Sequence, residues 1–375
     1  MIGSRTWSDS RAGYLPTLDG WRAVAILAVI ASHTRWPIPA IVRISQYGAM
    51  GVHLFFALSG FLITWWLIQE HERFGRIDWK DFYLRRAFRI LPAAFVYLAV
   101  IAVASFVFHW IPLGGLQLAG SAFFFRNYLA APVPQPWYTL HFWSLAVEEH
   151  FYLLWPLILC FAGFRKARFV APTLAVAVAL WRAFDGRYEF IARLDPLLKD
   201  NVRRTDYRLD ILFCGCAAAL LWSEPAFQRP LRRIAGTVFV AAILVATGAC
   251  LYWQPPAYLS MLAVLMALLP AATVARPDAF AGRVLEWSVL RWIGRISYSL
   301  YLWQELFFPV FGVTRTLGWV QASPWNFAAA LGAASLSYYI VERPVIAYGK
   351  RIRAARNSRA LTVLAETDFG GVPAR

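Results

Sequence analysis

Apolar runs separated by short charged connections set the pattern of this chain. Runs with few charges lie near 21–35, 48–69, 91–109, 144–163, 169–184, 209–223, 234–253, 257–275, 292–312 and 325–342. A helix crosses a bilayer with roughly 20 apolar residues. The pattern therefore predicts an all-α fold, a polytopic membrane bundle of about ten transmembrane helices. The stretch 113–131 is also apolar but is interrupted by Gly114, Gly115 and Gly120. It stays open between a re-entrant or interfacial segment and an eleventh span.

Composition supports the membrane reading. Of 375 residues, 59% are hydrophobic and 15% charged, and the mean hydropathy is +0.50. Soluble domains carry about 45–50% apolar and about 25% charged residues. Disordered, collagen-like and small disulfide-rich chains are excluded, and a secreted soluble enzyme is not expected. Cys160, Cys214, Cys216 and Cys250 all fall in apolar runs. Neither a disulfide framework nor a metal site is expected from them. Residues 1–20 lack an apolar core, so no cleaved signal peptide is expected. The chain reads as one membrane domain, 1–349, followed by a basic tail, 350–375, expected to be disordered and cytoplasmic.

The charge is basic, with 37 Lys and Arg against 21 Asp and Glu. In a soluble protein that balance suggests nucleic acid. In a membrane protein it reflects cytoplasmic loops, so the lipid bilayer and no nucleic acid is the expected partner. Placing both termini in the cytoplasm puts most Lys and Arg on the inner side, which predicts a multi-pass protein of the inner (plasma) membrane. The loop 185–210 resists this assignment: it is placed outside yet holds six basic residues alongside six acidic ones.

A charge within a bilayer is costly, so ionisable residues inside spans are functional candidates by default. Arg22 and His33 lie eleven residues apart, close to three helical turns, so they share a face and are separated by roughly 16 Å. The bland alternatives are a snorkelling arginine and a hydrogen-bonded helix-contact histidine. Ser59 and Gly60 in the second run read as small residues for close helix approach. Arg86 and Arg89 are i, i+3 and share a face. Their guanidinium forks suit phosphate, although a positive-inside anchor explains them too. Glu148 and Glu149 are adjacent carboxylates at an apolar helix start, pointing about 100° apart; which of them acts stays open. Under the topology above, Arg22, Arg86 and Arg89 lie near the cytoplasm. His33, His53, Glu148, Glu149 and Glu305 are placed in the outer half.

Taken in order, these motifs resemble the acyltransferase-3 family of integral membrane O-acyltransferases. The resemblance runs over about 15–345. It rests on Leu18-Asp-Gly-Trp-Arg22 with His33, on Phe55 to Thr64, on Arg86-x-x-Arg89, and on Trp143-Ser-Leu-Ala-Val-Glu-Glu149. It continues with Arg208 to Gly215, Ile296 to Leu302 and Glu342-Arg-Pro344. It implies transfer of an acetyl or other short acyl group from acyl-CoA, with acetyl-CoA the expected donor, to a hydroxyl of a glycan, glycolipid or similar acceptor. It implies His33 as the essential first-span histidine and Arg22, Arg86 and Arg89 as functional arginines. His53 stands where Asp is common, and Gln304 where His is frequent. Gln304 exchanges no proton and is assigned no acid or base role. No extracellular esterase-like domain of the kind some members append is present in this sequence.

The expected site therefore has His33 as general base, or as a transient acyl carrier, with Glu148 or Glu149 orienting it. Arg22, Arg86 and Arg89 hold the phosphates of acyl-CoA, and no metal is involved. The rival class is a glycolipid or proton-coupled transporter, since such pathways also carry intramembrane Arg, His and Glu. Against it, no pair of Gly- or Pro-broken helices recurs in two halves.

Overall fold

The computed structural model describes residues 14–34, 42, 45–129, 137–195, 198, 202–309 and 315–353. Residues 354–375, most of the expected tail, and Arg5 and Arg11 lie outside the described residues. Nine long helices carry the fold: α1 (Pro16–His33), α2 (Met50–Phe74), α3 (Trp79–Phe106), α4 (Phe142–Tyr188), α5 (Thr205–Trp222), α6 (Thr237–Trp253), α7 (Tyr258–Ala275), α8 (Ser288–Phe307) and α9 (Trp325–Leu336). Each apolar run of the sequence falls on one of them, the runs 144–163 and 169–184 sharing α4. That helix breaks at Gly163, whose φ of 67° is a left-handed conformation open to glycine. The all-α membrane bundle expected from the hydropathy pattern is thus the fold observed.

Among the described residues, four segments are long and apolar enough to cross a membrane: Gln46–Phe74, Trp79–Phe106, Trp137–Tyr188 and Tyr258–Ala275. Thr205–Trp222 and Pro225–Ile234, joined across a bend of 101°, pass the same test only when taken together, as a broken span or a re-entrant loop. Helices α1, α6 and α8 are 18, 17 and 20 residues long, within the length range of a span. The stretch 113–131 forms only an eight-residue helix, Gly115–Ala122, and a 3-10 turn. At 1.5 Å per residue it is far too short for an eleventh span. Large apolar side chains face outward, such as Val238, Val245 and Tyr252 of α6 and Phe95, Val96 and Val103 of α3. Such a surface suits lipid rather than water.

Helix α5 is the hub. It packs most extensively on α4 and α2 and also on α7, while α1 lies between α2 and α8. Gly60 of α2 meets the backbone of Leu212, and Gly215 of α5 meets the backbone of Ala57. A Cβ at either position has no room, so this reciprocal pair lets the two helices cross almost backbone to backbone. The close-approach role read for Ser59-Gly60 from sequence is the one Gly60 fills.

Two ion-pair clusters brace the bundle away from the site. Arg182 of α4 donates to Asp210 of α5 at 2.7 Å, to the Tyr207 carbonyl at 2.7 Å and to Ser260 of α7 at 2.6 Å. Arg204 pairs with Asp185 and Asp206, each at 2.7 Å. Within 185–210, Arg204 is matched by Asp185 and Asp206, and Asp210 is matched by Arg182. At the other cluster Arg85 bonds Glu70 at 2.6 Å and Asp81, and Arg353 lies at ion-pair distance from Asp81. Beyond α9 the chain passes through a π turn, Ser337–Glu342, and stays helical to residue 353, a few residues past the expected domain boundary.

Candidate active site

A cavity opens between five helices, and Arg22, Arg86, Arg89, Glu148 and Glu149 all line it, whereas Glu305 does not. Arg22 enters from α1, and Arg86 and Arg89 from α3. Helical spacing explains the choice among the three arginines of α3. Arg86 and Arg89 share the inward face, whereas Arg85 lies on the face of Asp81, one turn earlier, and is held there and by Glu70. Among the described residues, Arg22, Arg86 and Arg89 have no carboxylate within ion-pair distance. Arg86 instead lies 4.8 Å from the ring centroid of Tyr152 and 5.9 Å from that of Phe82, a cation–π seat that leaves its N–H fork available.

Glu148, Glu149, Ser144 and Tyr152 of α4 line the same cavity, with Ser59 of α2 opposite. Glu148 accepts from the Tyr152 hydroxyl at 2.7 Å and from Ser59 at 3.2 Å. Two sequence expectations are corrected here. The glutamates do not lie apart from the arginines in an outer layer, because the chain entering α4 is already buried. Trp137, Tyr138 and Thr139 form a 3-10 turn inside the bundle, so two turns of α4 bring Glu148 to the level of Arg22. Nor does Glu148 contact His33, since its oxygens are taken by Tyr152 and Ser59. A further carboxylate, Glu342, lies in the π turn, receives the Ser299 hydroxyl and is within electrostatic reach of Arg89 and Arg22. A π turn within a helix often marks a functional site.

His33, at the last turn of α1, stands outside the cavity lining and meets Gln304 of α8: its Nδ1 lies 2.8 Å from Gln304 Oε1. An amide oxygen only accepts, so Nδ1 carries the hydrogen and Nε2 keeps a free lone pair. Gln304 is fully buried and Glu305 nearly so. Glu305 is the carboxylate in electrostatic reach of His33, with Arg203 nearby. Between the cavity and His33 stand Ser144 and Tyr301, whose hydroxyls are 2.6 Å apart and which both line the cavity.

The remaining polar candidates are placed elsewhere. His53 lies with Nε2 2.7 Å from Arg208 Nη1 and Nδ1 2.9 Å from Met50 Sδ, and Arg208 covers the Trp143 ring at 5.6 Å. His150 points away from its glutamate neighbours, to Thr205 at 2.6 Å. Among the described residues no three His, Cys, Asp or Glu side chains are grouped as metal ligands. Sequence reasoning missed the roles of Gln304, Ser144 and Tyr301. Gln304 was weighed only as an acid or base, and the residue at that position needs only to accept.

Converging arginines, adjacent carboxylates and a hydrogen-bonded imidazole make this the candidate functional site of the bundle. The chain belongs to the acyltransferase family: the family model described as "Acyltransferase domain" matches residues 15–342. It is 30% identical to the peptidoglycan O-acetyltransferase OatA of Listeria monocytogenes, over 91% of this chain and 57% of that protein. It is 29% identical to the putative peptidoglycan O-acetyltransferase YrhL of Bacillus subtilis, over 90% of this chain and 56% of that protein. The O-acetyltransferase OatA of Staphylococcus aureus is 28% identical, over 88% and 57%. The chain thus spans little more than half the length of these relatives. No solved structure matches it. The family match bears out the expected acyltransferase class.

The Gln304 contact makes a direct prediction. Gln304→Leu removes the acceptor for Nδ1–H and frees the ring to take either tautomer, so transfer should fall by about 10- to 100-fold, the usual cost of losing an orienting partner. Gln304→His restores a partner and should recover most of the activity. Equal rates for wild type and Gln304→Leu in a transfer assay refute the orienting role.

Proposed function

We propose that this protein moves an acetyl or other short acyl group from acyl-CoA, on the cytoplasmic side, to a hydroxyl of a cell-envelope glycan or glycolipid. The observation that supports the donor assignment is the set of three cavity arginines that, among the described residues, have no carboxylate at ion-pair distance. Coenzyme A is a phosphate-rich donor, and planar guanidinium forks bind phosphate oxygens in pairs. Arg86 and Arg89 grip the phosphates, with Arg22 deeper along the same cavity.

The chemistry follows from the His33 geometry. Nε2 takes the proton of the acceptor hydroxyl as its oxygen attacks the thioester carbonyl. The carbon–sulfur bond breaks, and the departing sulfur receives the proton from Nε2, leaving an ester and free CoA thiol. Gln304 holds Nδ1–H throughout, and Glu305 stabilises the transient imidazolium. Glu148 and Glu149 act on the arginine side of the Ser144–Tyr301 pair, where they space and orient the cations. The relatives named as acting on peptidoglycan make an envelope glycan the acceptor class we favour.

Purified protein in lipid nanodiscs supplies the test. With labelled acetyl-CoA and envelope glycan, it should release CoA thiol and label the glycan together. Movement of a glycolipid across the membrane without thiol release supports the transporter reading instead.

Orientation is tested separately. Both termini in the cytoplasm place the 75–78 connection inside and the 254–257 connection outside. In a Cys160→Ser background, Pro256→Cys should react with an impermeant thiol reagent added outside intact cells and Arg76→Cys should not. The reverse labelling pattern overturns this topology.

A further inference from the structure

His141 immediately precedes α4 and is 2% exposed. Its backbone carbonyl accepts from the Tyr301 hydroxyl at 3.2 Å and the Ser144 hydroxyl at 3.1 Å. Its ring packs among Tyr97, Phe142 and Tyr301, with centroids 5.3, 4.9 and 5.5 Å away. Yet neither ring nitrogen has a hydrogen-bond partner. A further buried atom of the neighbourhood, Nη2 of Arg126, is also unmatched. His33 and Arg126 are both in electrostatic reach of the His141 ring.

Buried polar atoms are nearly always hydrogen-bonded, and leaving one unmatched carries the full penalty of removing it from water. A cluster of unmatched atoms beside an oriented histidine therefore indicates a polar occupant. Its chemistry can be read from what the cluster offers. A neutral imidazole presents one N–H donor and one lone pair, and Arg126 Nη2 adds a donor. A phosphate or a thioester carbonyl only accepts, and leaves the ring lone pair unmatched. An alcohol both donates and accepts, so the hydroxyls of a carbohydrate satisfy both nitrogens of the ring.

We propose that His141 binds the hydroxylated acceptor beside His33 and fixes which hydroxyl faces Nε2 of that residue. This rests on the O-acyltransfer reading above. The donor's phosphates stay with the arginines, on the other side of the Ser144–Tyr301 hydroxyl pair.

The test uses the full chain. His141→Phe keeps an aromatic ring among its aromatic neighbours and removes both polar atoms; His141→Asn keeps one donor and one acceptor on a shorter side chain. Transfer is read as alkali-labile acetate on envelope glycan from a deletion strain carrying each variant. Acetyl-CoA affinity and melting temperature are measured in nanodiscs. For His141→Phe we expect transfer to fall roughly 30-fold, as for two lost neutral hydrogen bonds. Its acetyl-CoA affinity should stay within about twofold, and its melting temperature should be unchanged or higher, because unmatched polar atoms have gone. His141→Asn should recover part of the transfer. Transfer by His141→Phe within about threefold of wild type overturns the proposal. So does an acetyl-CoA affinity that falls as far as transfer does, which assigns the ring to the donor. A melting temperature lowered by Phe and restored by Asn together with transfer makes the histidine structural, held by a bridging water. If wild type fails to bind acetyl-CoA while His141→Phe still loses envelope acetate at full stability, the donor reading fails and the His141 assignment stands.

Discussion

Transfer should disappear in His33→Ala while the protein stays folded in the membrane and still binds acyl-CoA. His33 stands apart from the cavity arginines, so its removal leaves the phosphate contacts intact. A positioned general base typically contributes about 10²- to 10⁴-fold, and the alanine variant should lose an amount in that range. His33→Gln is the sharper variant. Glutamine reaches a similar distance and can still donate to Gln304 Oε1, but it takes no proton. A histidine present only for packing predicts that Gln restores function; a base or an acyl carrier predicts that both variants are inactive. The measurement is labelled acetyl transfer to envelope glycan, with expression and detergent stability checked alongside. Near-normal transfer by His33→Gln refutes the base and the acyl-histidine relay at once.

The second large effect belongs to the donor. Replacing Arg86 and Arg89 together by Gln removes two charge-assisted contacts, each worth about 1.5–3 kcal/mol. Acyl-CoA affinity should then fall by roughly 10²- to 10⁴-fold, with acceptor binding little changed. The double Lys variant should recover only part, because an ammonium lacks the planar fork and the stacking that Arg86 makes on Tyr152. Arg85→Gln is the control: it breaks the Glu70 and Asp81 pairs and should affect stability more than affinity. Isothermal titration separates the two. Unchanged acyl-CoA affinity in the double Gln variant returns Arg86 and Arg89 to the role of a cytoplasmic anchor.

Much of this architecture was legible in the sequence, for physical reasons that differ by element. Spans are legible because lipid demands long apolar runs, and each run became a helix. The inward face of Arg86 and Arg89 is legible because i, i+3 spacing fixes it without knowledge of the rest of the fold. The depth of Glu148 was not, since it depends on how far inside the bundle α4 begins, and Trp137 to Thr139 give no apolar boundary to mark that point. The partner of His33 was not legible either. It lies 271 positions away on α8, and no local pattern encodes that distance. His141 drew no notice because a lone histidine in an apolar stretch reads as core. Only the unmatched ring nitrogens distinguish it.

The hydroxyl pair of Ser144 and Tyr301 also matters electrically. A membrane at 100 mV does about 2.3 kcal/mol of work on each elementary charge that crosses it. A water-filled passage from the arginine cavity to His33 would therefore act as an ion leak. With uncharged side chains closing that passage, only a neutral group travels the distance between the two ends, and an acyl group is neutral. On the reading developed here, the charged phosphates never leave the arginine end. Acylation of an acceptor across the barrier then draws no current and runs at the same energetic cost whatever the membrane voltage.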